Sequence, residues 1–351
     1  MSIQRIVKDM FSTLIIGVNV DSRNCYTRVL TLKKGKILHD ELKEFRTVPG
    51  DIPIEAAKFI RKLRKKHPFT YVATLSHSIH QGAIDTIRAD EYLKFGIRSN
   101  EVRSVIVQEA WSAYISREGI AEARGKFAKS QGVDFLFSPF ALLYEGIKGR
   151  LDEKKRLYVL QQQSDLALAI MNAKGLYFGG FFILESEMEA STEKKPEEEM
   201  ALGETPLEPA SPAKITEALS ALDNELEEIG ELEELDDSVM IEDFEEHEAP
   251  LPKHNEKEEE RSALDDFARA ISVAKFIKDS LSEFYKNEVY RSDFIDEIVI
   301  LDTYGISSGA LTYLKNTLLI DIKTHALDVT SSLVKMAELE IKEREGGARG
   351  I

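Results

Sequence analysis

The chain has one cysteine and one tryptophan in 351 residues, and no apolar run approaching the ~20 residues that a membrane-spanning helix needs. The lone Cys25 excludes an internal disulfide, and no His or Asn signature beside it marks a nucleophile. A reducing, cytoplasmic setting is therefore expected. Met1 to Ser12 mixes Ile3, Ile6, Met10 and Phe11 with Gln4, Arg5, Lys8 and Asp9, without the apolar core of a signal peptide. Missing too are the G-x-x-x-x-G-K-[ST] phosphate loop and the G-x-G-x-x-G dinucleotide turn, which excludes the common nucleotide folds that depend on them. His77 and His80 stand three apart with no third ligand near, so they read as polar loop residues and no metal is expected.

Charge is plentiful but uneven. The net charge of −16 is concentrated between Glu185 and Ser262, where 28 residues are acidic and 6 basic; the remainder holds 34 acidic and 40 basic residues. The same stretch contains six of the ten prolines and a single aromatic, Phe244. It has too little apolar surface to offset chain entropy, so residues 185–262 are expected to form an acidic, mostly disordered insert. Inside it, Ser211-Pro212 can start a helix, and Ile215, Leu219, Leu222, Leu226 and Ile229 recur at helical spacing. That seam reads as a transient linker helix, or as one that folds against a helical partner. The basic run Arg61-Lys62-Leu63-Arg64-Lys65-Lys66 reads as a solvated helix end, with anionic lipid or nucleic acid as the other occupants; no nucleic-acid function is expected.

Organisation comes from repetition. Leu14 to Val20, Tyr26 to Leu32 and Ile37-Leu38 read as a three-strand meander, followed by an amphipathic helix at Ile54 to Arg64 and a strand at Phe69 to Leu75. Val105 to Ile115 is expected to be a helix, Gly132 to Phe137 a strand, and Phe140 to Ile147 a helix started by Pro139. Phe135 and Phe137 share one strand face and are expected in the core. The meander then returns about 140 residues after the first, at Leu157 to Leu160, Leu166 to Met171 and Leu176 to Leu184. Helical structure resumes at a cap on Ser262 and carries Leu264, Phe267, Ile271, Ala274, Ile277, Leu281 and Phe284 as one stripe. A strand at Phe294 to Leu301, a helix at Ser308 to Asn316, a strand at Leu318 to Ile322 and a helix near Asp328 to Lys342 complete the pattern.

In actin-like ATPases a β-turn-β hairpin with a D-x-G-x-x-x-[KT] type sequence occurs once per lobe. Its glycine admits phosphate to the backbone, its aspartate orients Mg²⁺ and water, and a late glycine pair receives adenosine. Gly17-Val18-Asn19-Val20-Asp21-Ser22-Arg23 lies where the first hairpin belongs, and Leu160-Gln161-Gln162-Gln163-Ser164-Asp165 at the second. Leu301-Asp302-Thr303-Tyr304-Gly305-Ile306-Ser307-Ser308-Gly309 lies at the adenosine turn. In element order the chain resembles the PilM-like family, cytoplasmic components of type IV pilus and type II secretion platforms with flagellar accessory relatives.

The resemblance implies an α/β, actin-like (ribonuclease H-like, duplicated) two-lobed fold with an extra small subdomain. Residues 1–150 would form the first lobe, with the subdomain at about Thr70 to Pro139; residues 151–184 and 263–345 would form the second. The nucleotide positions depart from the family. Asn19 stands for its aspartate and Asp21 for its glycine, Gln161 and Gln163 replace the second pair, and Gly305 alone remains of the late pair. Asn19, Asp21, Ser22, Gln161, Gln163, Ser164, Gly305, Ser307 and Gly309 would line a degenerate site with no catalytic residue and no resident cofactor. ATP with Mg²⁺ is the alternative.

The function implied is that of a scaffold in a pilus, secretion or flagellar machine, peripheral to the inner membrane. It would grip the short cytoplasmic tail of a PilN-like inner-membrane partner and is compatible with a homo-oligomer in an envelope assembly. The alternative is an actin-like ATPase or sugar-kinase-superfamily enzyme, for which Asp165 is the carboxylate nearest the second hairpin. A filament protein of the FtsA kind would need an amphipathic C-terminal anchor, and Ile341 to Ile351 is charged and glycine-rich.

Overall fold

The computed structural model describes residues 11–48, 50–184 and 256–346. The acidic stretch up to residue 255, with its Ile215–Ile229 seam, lies outside the described residues. Strands β1 (Thr13–Asp21), β2 (Asn24–Lys33) and β3 (Lys36–Arg46) form the opening meander, followed by helix α1 (Ile54–Lys66) and strand β4 (Phe69–Leu75). With β8 (Phe135–Phe137) they make a five-stranded sheet of order β3-β2-β1-β4-β8, antiparallel through the meander and parallel beyond it. The second sheet repeats this plan with β9 (Arg156–Gln161), β10 (Asp165–Asn172), β11 (Gly175–Ile183), β12 (Glu297–Asp302) and β13 (Asp321–Ala326). Its order is β11-β10-β9-β12-β13, with the same directions. Two copies of one five-stranded, mixed sheet are the duplicated, actin-like architecture.

Helices fill three layers around the sheets. On the outer face of the first sheet, α1 buries Ala56, Ala57 and Ile60 against Leu14, Ile16 and Val72. Outside the second sheet, α4 (Glu256–Lys286) and α5 (Ser308–Leu318) bury Val273, Ile277, Phe284 and Leu314 against Leu166, Leu168 and Ile298. Between the sheets lie α3 (Pro139–Ile147) and α6 (Val329–Gly346), where Leu142, Leu143, Leu333 and Val334 share one core with Ile15, Ala73, Leu160 and Ala169. Strands walled by helices on both faces are apolar nearly throughout, and both β1 and β10 read so. Gly17 is what lets α6 lie on β1: a Cβ there would stand 2.7 Å from the Thr330 carbonyl oxygen. Local signals start the helices, the first-turn Pro139 as anticipated. Ser138 caps α3 with Pro139 in the first turn, and the Ser307 hydroxyl caps α5.

Three expectations are corrected. Val105 to Ile115 is a hairpin of β6 (Val102–Val107) and β7 (Trp111–Ser116), joined through Gln108 and Glu109 at φ 54° and 55°. Its β-branched and aromatic residues favour strands, and a short apolar run does not distinguish the two periods. With β5 (Gln81–Ile84) this hairpin forms a three-stranded sheet of order β5-β7-β6, followed by α2 (Arg117–Lys126). Second, Phe69–Leu75 belongs to the first sheet rather than to the small subdomain. Third, α4 begins at Glu256, not at Ser262, because Glu256 to Arg261 is rich in good helix formers.

The small sheet also reaches the second lobe. Ala83 packs so closely on β11 that a Cβ on Gly179 would meet its carbonyl oxygen at 2.7 Å. Arg291 pairs with Asp85, and the Phe95 and Tyr290 rings meet at 6.4 Å. Among the described residues no helix is long and apolar enough to cross a membrane.

Candidate functional site between the lobes

The β1–β2 and β9–β10 hairpins meet at the carboxyl ends of β1, β4 and β9, where ligands of open α/β sheets bind. Asp21 ends β1 and is buried. One of its carboxylate oxygens accepts from the backbone N–H of Gln163 at 3.0 Å. The other accepts from the Ser164 N–H at 2.9 Å and the Ser164 hydroxyl at 3.0 Å. Successive backbone amides of a hairpin turn are a ready anion site, and here the anion is a side chain of the other lobe.

Beside this contact lies a second one. Asp165 Oδ2 stands 2.7 Å from His77 Nδ1, and Asp165 Oδ1 accepts from Gln162 Nε2 at 2.9 Å. The Ser164 hydroxyl lies 3.3 Å from Asp165, so the two carboxylates share a neighbour. Burial foremost, and then the Asp165 charge, push the Asp21 carboxyl above its ordinary range, against the pull of the three hydrogen bonds. Burial alone would lower His77; its ion pair with Asp165 outweighs that and holds it above the usual imidazole value.

The turn expected to receive adenosine has its backbone donors taken in the same manner. Asp302 at the end of β12 accepts from the backbone N–H groups of Tyr304, Gly305 and Ile306 at 2.8–3.1 Å. Asp266 on α4 accepts from the Ser307 N–H at 2.7 Å and the Tyr304 hydroxyl at 3.1 Å. Tyr304 in turn accepts from Gln161 Nε2 at 2.8 Å. Arg269 lies over the Tyr304 ring at 4.9 Å and donates to the Gln163 carbonyl oxygen at 3.0 Å, tying this turn to the second hairpin.

Of the nine expected positions, Asp21, Gln163 and Ser164 come into direct contact, while Gln161 and Ser307 join the Tyr304–Asp266 group. Gly305 supplies one amide at φ 88°. Asn19 is buried on β1, its Oδ1 without a partner among the described residues. Ser22 turns the first hairpin at φ 54°, and Gly309 is exposed in the first turn of α5; neither joins the contacts. The residues not anticipated are His77, Asp266, Arg269 and Tyr304. His77 had a readable signal, since Ser76-His77-Ser78 follows β4 at the same strand end.

No G-x-S-x-G elbow is expected from the sequence, yet Gly305-Ile306-Ser307-Ser308-Gly309 carries that spacing between strand and helix. A nucleophile elbow needs a strained serine with an exposed hydroxyl. Ser307 instead has φ −65° and ψ 151°, and its hydroxyl caps Ala310. Among the described residues no group of three or more His, Cys, Asp or Glu is placed to hold a metal ion.

Among solved structures the chain is similar to one described as a PilM-PilN type IV pilus biogenesis complex, at 14% identity and a TM-score of 0.47, covering 91% of this chain and 89% of that one. A Bacteroides thetaiotaomicron protein with an actin-like ATPase fold and unknown function is similar at 10% identity and a TM-score of 0.39, covering 92% and 96%. The activator of 2-hydroxyisocaproyl-CoA dehydratase from Clostridium difficile, with bound ADPNP, is similar at 12% identity and a TM-score of 0.37, covering 97% and 99%. No curated protein matches the chain. A family model described as a domain of unknown function (DUF8569) matches residues 11–144. A second, described as a domain of unknown function (DUF8341), matches residues 157–342, just over half of the chain. The chain thus belongs to the DUF8341 family.

Proposed function

We propose that this protein is a PilM-like, non-enzymatic scaffold whose nucleotide cleft is closed by its own carboxylates. The observation that carries the reading is the seat of Asp21 on the Gln163 and Ser164 amides. A phosphate entering there would have to displace a bonded carboxylate and then face Asp165 as well, so two like charges oppose it in a buried site. Asp165, the carboxylate an enzyme would use as base, is buried and committed to His77 and Gln162.

The partner in this reading is the short cytoplasmic tail of an inner-membrane, PilN-like protein, in a pilus, secretion or flagellar assembly. Isothermal titration with Mg-ATP and Mg-ADP tests the cleft: no heat is expected at millimolar nucleotide, and micromolar binding would overturn the reading. Affinity purification from native membranes tests the partner. Specific retention of an inner-membrane protein by the full chain is expected; recovery of none would contradict the reading.

A further inference from the structure

The end of the first lobe opposite the cleft gathers cations and exposed aliphatic side chains. The β2–β3 turn places Lys34 and Gly35 at φ 50° and 74°, the backbone of a tight two-residue hairpin. It holds Lys33, Lys34 and Lys36 exposed, followed by the exposed Ile37 (64%) and Leu38 (60%). Chain direction brings the end of α1 to the same place, because α1 runs back from the end of β3 to the start of β4. Arg61, Lys62, Lys65 and Lys66 are all exposed there.

The neighbourhood is fixed by register. Thr13 stands opposite both Leu32 and Phe69, and His67, the α1 C-cap, lies 3.4 Å from the Ser12 hydroxyl. Half-exposed Phe11 packs beside Phe69 at this end. None of these seven cations pairs with a carboxylate among the described residues, whereas Arg64, on the inner side of the same helix, pairs with Asp134 at 2.7 Å.

We propose that this face docks directly on an anionic lipid surface, with Lys33, Lys34, Lys36 and the α1 cations against the headgroups and Ile37 and Leu38 at the acyl boundary. Charge complementarity selects an anionic partner, and the exposed aliphatic pair selects lipid over nucleic acid. Aliphatic side chains gain free energy by leaving water for the acyl boundary, and gain none against a sugar-phosphate backbone. The net charge of −16 does not forbid the contact, because free charges act over a Debye length of about 8 Å at physiological salt. The lipid face lies at the end of the sheet away from Asp21 and stands or falls independently of the scaffold reading.

The test is co-sedimentation of the full chain with vesicles of phosphatidylcholine alone and with about one third phosphatidylglycerol added, at low and physiological salt. Binding is expected only to the anionic vesicles, weakening as salt rises. The triple variants Lys33→Glu/Lys34→Glu/Lys36→Glu and Lys62→Glu/Lys65→Glu/Lys66→Glu should each weaken it by about a hundredfold. Ile37→Ser/Leu38→Ser should weaken it at both salt concentrations. All these side chains are exposed, and unchanged melting temperatures would confirm that the variants fold. Absence of binding at low salt, equal binding to neutral vesicles, or variants that bind like the wild type would each overturn the proposal. Tight binding to duplex DNA with no vesicle binding would reassign the face to nucleic acid and overturn it as well.

Discussion

Replacing Asp21 with alanine takes one acceptor group away from three donors at once, two of them backbone amides of the other lobe. Leaving such donors unmade costs about 2 kcal/mol net of the relief from Asp165, so the melting temperature should fall by about 5 °C. Asp21→Asn keeps one acceptor and should lose less; a differential scanning experiment separates the two. His77 gives a pH signature. Its folded pKa lies above the ordinary 6.5, so its contribution is complete below pH 6.5 and is lost as pH rises through the folded value. Asp21, also raised, has the same sign in the acid range. The melting-temperature advantage of wild type over His77→Gln should therefore be greatest near pH 6 and shrink toward pH 9. A constant gap would mean that folding leaves the His77 pKa unchanged, and a gap that widens with pH would mean that His77 is neutral in the folded protein. At this scale the sequence disclosed positions but not bonds. Asp21 stands where the family has its glycine, yet its partners lie more than 140 positions away, and nothing local marks Gln163 and Ser164 as its donors.

Gly17 shows how an element can be placed by the absence of a side chain. Gly17→Val would drive a branched side chain into the Thr330 carbonyl oxygen and Val334, so α6 must lift from β1. A loss of about 3 kcal/mol in urea unfolding is expected, as for other overpacked cores. A change below about 1 kcal/mol would show that α6 is loosely held. The meanders were legible because Leu14 to Val20 and Leu166 to Met171 are short apolar runs, each followed across a polar turn by another such run, and the whole pattern occurs twice. The β6–β7 hairpin was not, since Val105, Ile106, Val107 and Trp111 fit either period and the turn at Gln108-Glu109 has no glycine to announce it. The start of α4 was misplaced for a related reason: Ser262 is a good cap in isolation, but the residues before it are equally good helix formers.

At the scale of the whole molecule, duplication is the feature the sequence disclosed best and lobe closure the one it disclosed least. The repeated meander predicts two like sheets, and the order 3-2-1-4-5 appears in both. Closure depends on contacts spread over the chain: Asp21 to Ser164, His77 to Asp165, Asp85 to Arg291, and the approach of Ala83 to Gly179. None is a motif, and each joins segments that composition treats separately. In the proposed scaffold reading, these fixed side chains hold the two lobes together without nucleotide. The measurement that tests this most directly is hydrogen exchange of the hairpin amides of Gln163 and Ser164, with and without millimolar Mg-ATP. The account predicts slow exchange in the nucleotide-free protein, unaltered by Mg-ATP and accelerated in Asp21→Ala. Rapid exchange that slows when Mg-ATP is added would contradict it, because the cleft would then be open and receptive to nucleotide.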